Sequence, residues 1–332
     1  MQGLLIVNPS ATATDDHIRE VVMHALGHEL GCDAVTTRHP GHAGELAAQA
    51  RRERLDAVVT LGGDGTINEV VNGLLAAGPG TDIPVLATVP GGSANVLPRA
   101  LRIPTDQVQA TATIIKGLEQ DRTLTIGLGR AHFGSQSRYF LMNLGMGLDA
   151  EIIVAMDAQR DAGHAATPIR YFATTLRQYF AGTDRKHPAI TVGLPAEVLA
   201  RADESSATHV EVDATGAGEV DHVFLAIVQN GAPWTFLGPK AVNPVPTTTF
   251  DNGLGLFALR SINIPRSLRW ARRMVMGSRA GSTKGLYVGN DLSSFTLRAD
   301  PPQELQMDGE GLGRFDEVLV ESVPRSLRVI TG

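Results

Sequence analysis

The chain has 332 residues, 43% of them hydrophobic and 19% charged, with a formal net charge of −6 and a single cysteine, Cys32. That length suits two domains and a large buried core, and the apolar runs fall far short of the roughly 20 residues a membrane-spanning helix needs. The charge balance argues against a bulk nucleic-acid binder, and one cysteine excludes an intrachain disulfide or a cysteine-built zinc site. The N-terminus has no basic region before its short apolar run. It reads as a first strand at residues 4–7 rather than a signal peptide, which points to a cytoplasmic protein. A helix capped by Asp15 or Asp16 follows to about Leu30, then a strand at 33–37, a helix from His42 and a strand at 56–61. A glycine turn leads into a third helix, and a fourth strand at 84–89 leads through Pro90-Gly91-Gly92-Ser93-Ala94-Asn95 into more helix. Alternation of this kind predicts βαβ units and a mainly parallel sheet. Beyond about Arg122 short β-rich segments separated by turn residues predict a β-sandwich-like second domain, with helical interludes near 151–180 and 264–276.

The stretch Gly62-Gly63-Asp64-Gly65-Thr66 joins a buried-type strand to an amphipathic helix. Glycines there let an anion approach the unpaired amides of a helix N-terminus, so the turn is a candidate phosphate cradle. It lacks the Gly-Lys-Ser/Thr ending of a P-loop and the full dinucleotide fingerprint. A structural reading stands beside it, in which Thr66 caps the helix and Glu69 reaches back to it. That reading leaves the two preceding glycines unexplained. A second such turn, Gly91-Gly92-Ser93, follows the next strand, so both face the crevice where open α/β sheets bind ligands, with Asn8 and Ser10 bordering the same edge. Ser93 as a nucleophile is disfavoured, because Gly-Gly-Ser-Ala-Asn departs from the Gly-x-Ser-x-Gly elbow. The Gly145–Asp149 stretch reads as a strand-to-helix turn rather than a third phosphate site.

Val7-Asn8-Pro9, Gly62 through Val70, Pro90 through Asn95, and Met307-Asp308-Gly309-Glu310, taken in this order, resemble the diacylglycerol kinase catalytic-domain family, which includes bacterial lipid kinases and is related to sphingosine and ceramide kinases. The resemblance implies two domains with the active site in the cleft between them. An α/β ATP-binding domain would cover 1–122 and a β-rich lipid-substrate domain 123–310, with 311–332 returning to the first domain. It implies a nucleotide site at Asn8, Thr37, Gly62, Gly63, Asp64, Gly65, Thr66, Ile67, Asn68, Glu69, Gly91, Gly92, Ser93 and Asn95, with Asp64 tied to Mg²⁺. Asp308 and Glu310 match the family's general-base motif. Without the resemblance they read as two solvated acids of a β-turn. A structural Mg²⁺ is implied around an aspartate before Gly-Leu. Here Asn252 holds the position next to Gly253, and Asp251 is the candidate ligand.

The implied activity is transfer of the γ-phosphate of ATP, with Mg²⁺, to a lipid hydroxyl of a diacylglycerol or a sphingoid base at the inner face of the membrane. Phosphoryl transfer asks for positioning, charge neutralisation and a carboxylate to take the proton. Arginine-rich residues 260–279 suit an anionic membrane surface, though an amphipathic helix packed on the second domain is the simpler reading. An NAD kinase and a non-catalytic nucleotide or lipid sensor are the alternatives. Partners are ATP and the lipid, with no nucleic acid. A homodimer is compatible with the sequence, which leaves oligomeric state open.

Overall fold

The computed structural model describes residues 1–9, 11, 15–161, 187–201, 211, 212, 214, 216–260, 270, 272, 274, 276 and 285–332. Ser10 and most of the arginine-rich segment 260–279 lie outside the described residues, as does the second half of the helical interlude at 151–180. The chain divides into two compact units, residues 1–128 with 324–332, and residues 129–323.

The first unit is built from β1 (Gly3–Val7), α1 (Asp16–Leu30), β2 (Cys32–Thr36), α2 (His42–Arg52), β3 (Ala57–Gly62), α3 (Asp64–Leu74), β4 (Val85–Pro90), α4 (Val96–Ala100) and α5 (Gln107–Glu119). Asp15 caps α1 by accepting from the Ile18 N–H at 2.8 Å, and Gly31 closes it in the left-handed conformation. Asp106 caps α5 in the same way through the Gln109 N–H. These are the expected start and stop signals of helices. The strands β2, β1, β3 and β4 lie side by side, all parallel. Residues of β1, β3 and β4 are buried along their whole length, as strands covered on both faces must be. The chain moves outward from β1 to β2, then back across β1 to β3. Right-handed crossovers therefore put α1 on one face and α2 and α3 on the other. Accordingly α1 packs against α5, and α2 against α3. Cys32 is buried on β2, and burial, helped by Asp33, pushes its thiol up to about 11. It is a packing group of the strand.

The second unit is antiparallel. It begins within β5 (Thr123–Phe133) and continues through β6 (Gln136–Phe140), β7 (Asn143–Gly147), α6 (Leu148–Asp161), β8 (Ile190–Leu194), α7 (Ala196–Leu199), β9 (Glu211–Val212), β10 (Gly218–Val223) and β11 (Leu225–Gln229). The short β12 (Thr235–Leu237) and β13 (Lys240–Val242) form a separate hairpin. Then come β14 (Leu254–Leu259), β15 (Leu286–Leu292), β16 (Ser294–Met307) and β17 (Glu310–Ile330). The order β15-β14-β11-β7-β16 runs through one set of ladders. The first half of β16 pairs with β8 and its last residues pair with β7. Pro301 and Pro302, which have no N–H to give a ladder, sit in the register break between the halves. The two sets of ladders are thus joined through β16, and side chains from both share one core. Only residues 324–332 of the last strand group with the first unit, a shorter return than the expected 311–332. There Val329 pairs parallel to Leu86 of β4.

Of the arginine-rich segment, Trp270 is buried with Ile227, Phe257 and Leu286, and Met274 packs against the same cluster. Those two side chains face protein. Among the described residues no helix is long and apolar enough to cross a membrane.

Candidate functional site

The reversal of direction between β1 and β3 leaves a crevice outside their carboxyl ends, where such sheets bind ligands. Backbone bonds stitch that edge together. The Thr37 N–H donates to the Val7 carbonyl at 2.8 Å, the Asn8 N–H to Leu61 at 3.0 Å, and the Gly91 N–H to Gly62 at 2.8 Å. The structure therefore brings Asn8, Thr37 and both glycine turns to one edge. The glycines have a further reason to be there. A Cβ on Gly92 would stand 2.7 Å from the Gly63 Cα, and one on Gly91 3.1 Å from the Gly62 Cα. The two turns touch backbone to backbone, with no room for side chains between them.

The helix α3 starts at Asp64, with Gly63 as an N-cap that offers no side-chain bond. The capping box expected at Thr66 and Glu69 is absent. Thr66 lies inside the first turn, buried, and its hydroxyl accepts from the Asn8 Nδ2 at 2.8 Å. No side chain of the N-cap residue covers the amides of the first turn, the kind of position where an anion is favoured. Asp64 Oδ1 accepts from the Val96 N–H at 2.8 Å and so caps α4 from across the two turns. Asn95, left-handed at φ 48, locks the second turn by accepting from the Gly92 N–H and donating to the Gly92 carbonyl. Gly65 and Ser93 are exposed, and Glu69 is half-buried on the helix. Ile67 is a core residue whose N–H bonds Gly63, and Asn68 is buried against Asn72, so neither side chain opens to the edge. Arg99 on α4 was not singled out from sequence. Burial lowers the pKa of its guanidinium, and the charge of Asp64 opposes that shift.

In the second unit Asp308 and Gly309 are the two turn residues between Met307 and Glu310, which pair across β16 and β17. Both have positive φ, 48 and 85, the left-handed pair a tight hairpin requires. The turn reading is right, but Asp308 is not a solvated acid. Its oxygens accept from the N–H groups of Leu141, Met142 and Asn143 at 2.8–3.0 Å. Glu310 is exposed and pairs with Arg138 at 2.5 Å. Below the turn, the Gln306 carbonyl accepts from the Gly309 N–H, and its amide nitrogen donates to Asn143 Oδ1 and to Asp149 Oδ2. Asp149 is buried in the first turn of α6, and burial pushes its carboxyl up to about 6 against the partial relief of the Gln306 bond. The strand-to-helix turn expected at Gly145–Asp149 is present, with Gly147 left-handed. A phosphate has no place there, because the space beside Gly145 is filled by Asp149 and Gln306.

A metal is expected at Asp251. Asp251 is exposed, and the neighbouring loop is held instead by Asp291, which accepts from the Gly253 N–H at 2.7 Å. Among the described residues neither Asp251 nor Asp64 belongs to a group of three His, Cys, Asp or Glu donors. For Asp64 a lone carboxylate is still a fitting donor set, since Mg²⁺ commonly takes one or two carboxylates and completes its shell with substrate phosphates and water.

Comparison with known proteins finds similarity over the first unit. Residues 2–126 match the model of the diacylglycerol kinase catalytic domain. The diacylglycerol kinase of Bacillus subtilis strain 168 is 35% identical over 128 residues, 37% of this chain and 40% of that protein. The diacylglycerol kinase of Staphylococcus aureus strain JH9 is 38% identical over 127 residues, 38% of this chain and 36% of that protein. The matched stretch thus spans about two-fifths of the curated relatives. A crystal structure of a diacylglycerol kinase from Bacillus anthracis strain Sterne superimposes with a TM-score of 0.66 at 18% identity, covering 100% of this chain and 97% of that one. That likeness is one of fold.

Proposed function

We propose that the protein is an ATP- and Mg²⁺-dependent lipid kinase, a reading supported by the match of residues 2–126 to the diacylglycerol kinase catalytic domain. It transfers the γ-phosphoryl group to a hydroxyl of a diacylglycerol-like lipid or a sphingoid base. The observation that carries this reading is the pair of touching glycine turns beside the uncapped start of α3, at the carboxyl edge of a parallel sheet. Backbone amides without side chains in front of them are what a polyphosphate needs.

In this reading Gly62 through Thr66 and Gly91 through Asn95 hold the phosphates, and Asn8 orients Thr66. Asp64 would hold Mg²⁺ together with the nucleotide, which when bound neutralises phosphate charge. The acceptor hydroxyl gives its proton to a carboxylate of the Asp308–Glu310 turn as its oxygen bonds phosphorus and ADP leaves. Glu310, exposed and held by one arginine, is the freer base. Asp308, with three amides on its oxygens, sets the position of the turn. A lipid acceptor makes the protein a peripheral visitor to the cytoplasmic face of a membrane. A second reading, a nucleotide or lipid sensor, draws on one observation: both candidate bases are already engaged.

The test is transfer of labelled γ-phosphate from ATP with Mg²⁺ to lipids in mixed micelles. Diacylglycerol, monoacylglycerol, sphingosine, ceramide, phosphatidylinositol and phosphatidylglycerol form the panel, with NAD beside them. Label in one lipid supports the kinase and names its acceptor. Label in NAD alone overturns it, and bound ATP with no label anywhere favours the sensor.

A further inference from the structure

We propose that His39, His42 and Glu45 form a binding site for a borderline divalent transition cation of the Zn²⁺ class, separate from any Mg²⁺ at Asp64. Each residue offers one ligand atom, and these atoms lie within 4.8 Å of one another. Local structure brings them together. Gly41, left-handed at φ 85, turns the chain into α2, so His39 in the preceding loop folds back over His42 at the first helical position. The two rings stack with centroids 4.9 Å apart. Glu45 follows His42 at i+3, one turn along the same face.

The ring chemistry is set for ligation. His39 Nδ1 lies 3.0 Å from the Pro40 carbonyl, which can only accept. Nδ1 therefore carries the proton, and Nε2 is left with its lone pair, the outer-shell arrangement usual for a metal-bound histidine. His42 Nδ1 accepts from the Arg38 N–H at 3.1 Å. Ligation through His42 releases that amide, and because Arg38 is exposed, water takes it over. Two imidazole nitrogens and one carboxylate oxygen select Zn²⁺, Co²⁺ or Ni²⁺ over Mg²⁺, which prefers an all-oxygen shell. Water completes the coordination. The cation fixes the loop between β2 and α2, whose first residue is Thr37.

Isothermal titration of the full chain with ZnCl₂ in excess Mg²⁺ tests the site without any assay of activity. One zinc equivalent is expected per chain. His39→Ala and His42→Ala should each weaken binding about tenfold or more, and Glu45→Gln by a smaller factor. The melting temperature without zinc should stay close to that of the parent, since His39 and Glu45 are exposed and His42 is half-buried. The control is a second stacked pair among the described residues, His24 and His28, with centroids 6.2 Å apart. His24→Ala should leave zinc affinity unchanged. The proposal fails if the parent chain binds no zinc, if His39→Ala with His42→Ala retains parental affinity, if His24→Ala abolishes binding, or if Mg²⁺ displaces the zinc.

Discussion

Asp149 sits in the interior at 2% exposure, facing Gln306, whose other end holds the Gly309 amide. Its folded carboxyl lies near 6, against an ordinary value of 3.8. Between those two values the folded state holds a proton that the unfolded chain has lost, so stability falls as pH rises through that window. The penalty is absent below the lower value and complete above the upper one, where it amounts to about 3 kcal/mol. Asp149→Asn keeps an acceptor for Gln306 and removes the charge. Its melting temperature should exceed that of the parent at pH 7 and approach it at pH 4; a gap independent of pH would show that Asp149 does not titrate in the fold. A second expectation separates the two acids of the hairpin. Glu310→Gln should abolish phosphoryl transfer with little change in melting temperature, whereas Asp308→Asn should lose transfer and destabilise, because an amide cannot accept three N–H bonds as a carboxylate does. Equal stability in the two variants would refute the division of roles. From sequence, Asp308-Gly309 is legible as a turn. The amides that hold Asp308 come from residues 165 to 167 positions away, and no local pattern announces them.

Among elements, the meeting of the two glycine turns and the crossing of α2 and α3 follow one rule: backbone packs on backbone where glycines coincide. A Cβ at Gly73 would overlap the Gly44 carbonyl, so these two helices approach more closely than side chains allow. Gly92→Ala should force the turns apart, lowering stability by about 1–3 kcal/mol. It should also weaken nucleotide binding, measured by thermal shift with and without ATP. An unchanged response to ATP would remove the turns from the nucleotide site. Thr66 and Glu69 fit a capping box by spacing. Yet α3 begins three residues earlier, because Gly63 and Asp64 can adopt the required backbone and Asp64 is drawn to the Val96 amide. A capping pattern states which residues could cap. The competing long-range bond decides which do.

At the scale of the whole molecule, the first unit is discontinuous in sequence, taking its last residues from 324–332. Leu327, Val329 and Ile330 are fully buried there, and Gly117 leaves the space that Ile330 fills beside α5. Burying each such side chain contributes about 1.5–3 kcal/mol. Deleting 324–332 should therefore destabilise the first unit by about 5 kcal/mol or more, seen as a lost or early unfolding transition; an unchanged transition would show that the terminal strand is dispensable. The sequence by itself determined the alternation of strands and helices, the parallel sheet and the two glycine turns, because these rest on local periodicity, capping and turn chemistry. The tertiary structure alone decided that the glycines of the two turns pack on each other. It also decided that Asp308 is held by distant amides, that Asp149 is buried against Gln306, and that the terminal strand completes the first sheet. Each depends on groups far apart in the chain, and only the folded packing brings them within reach.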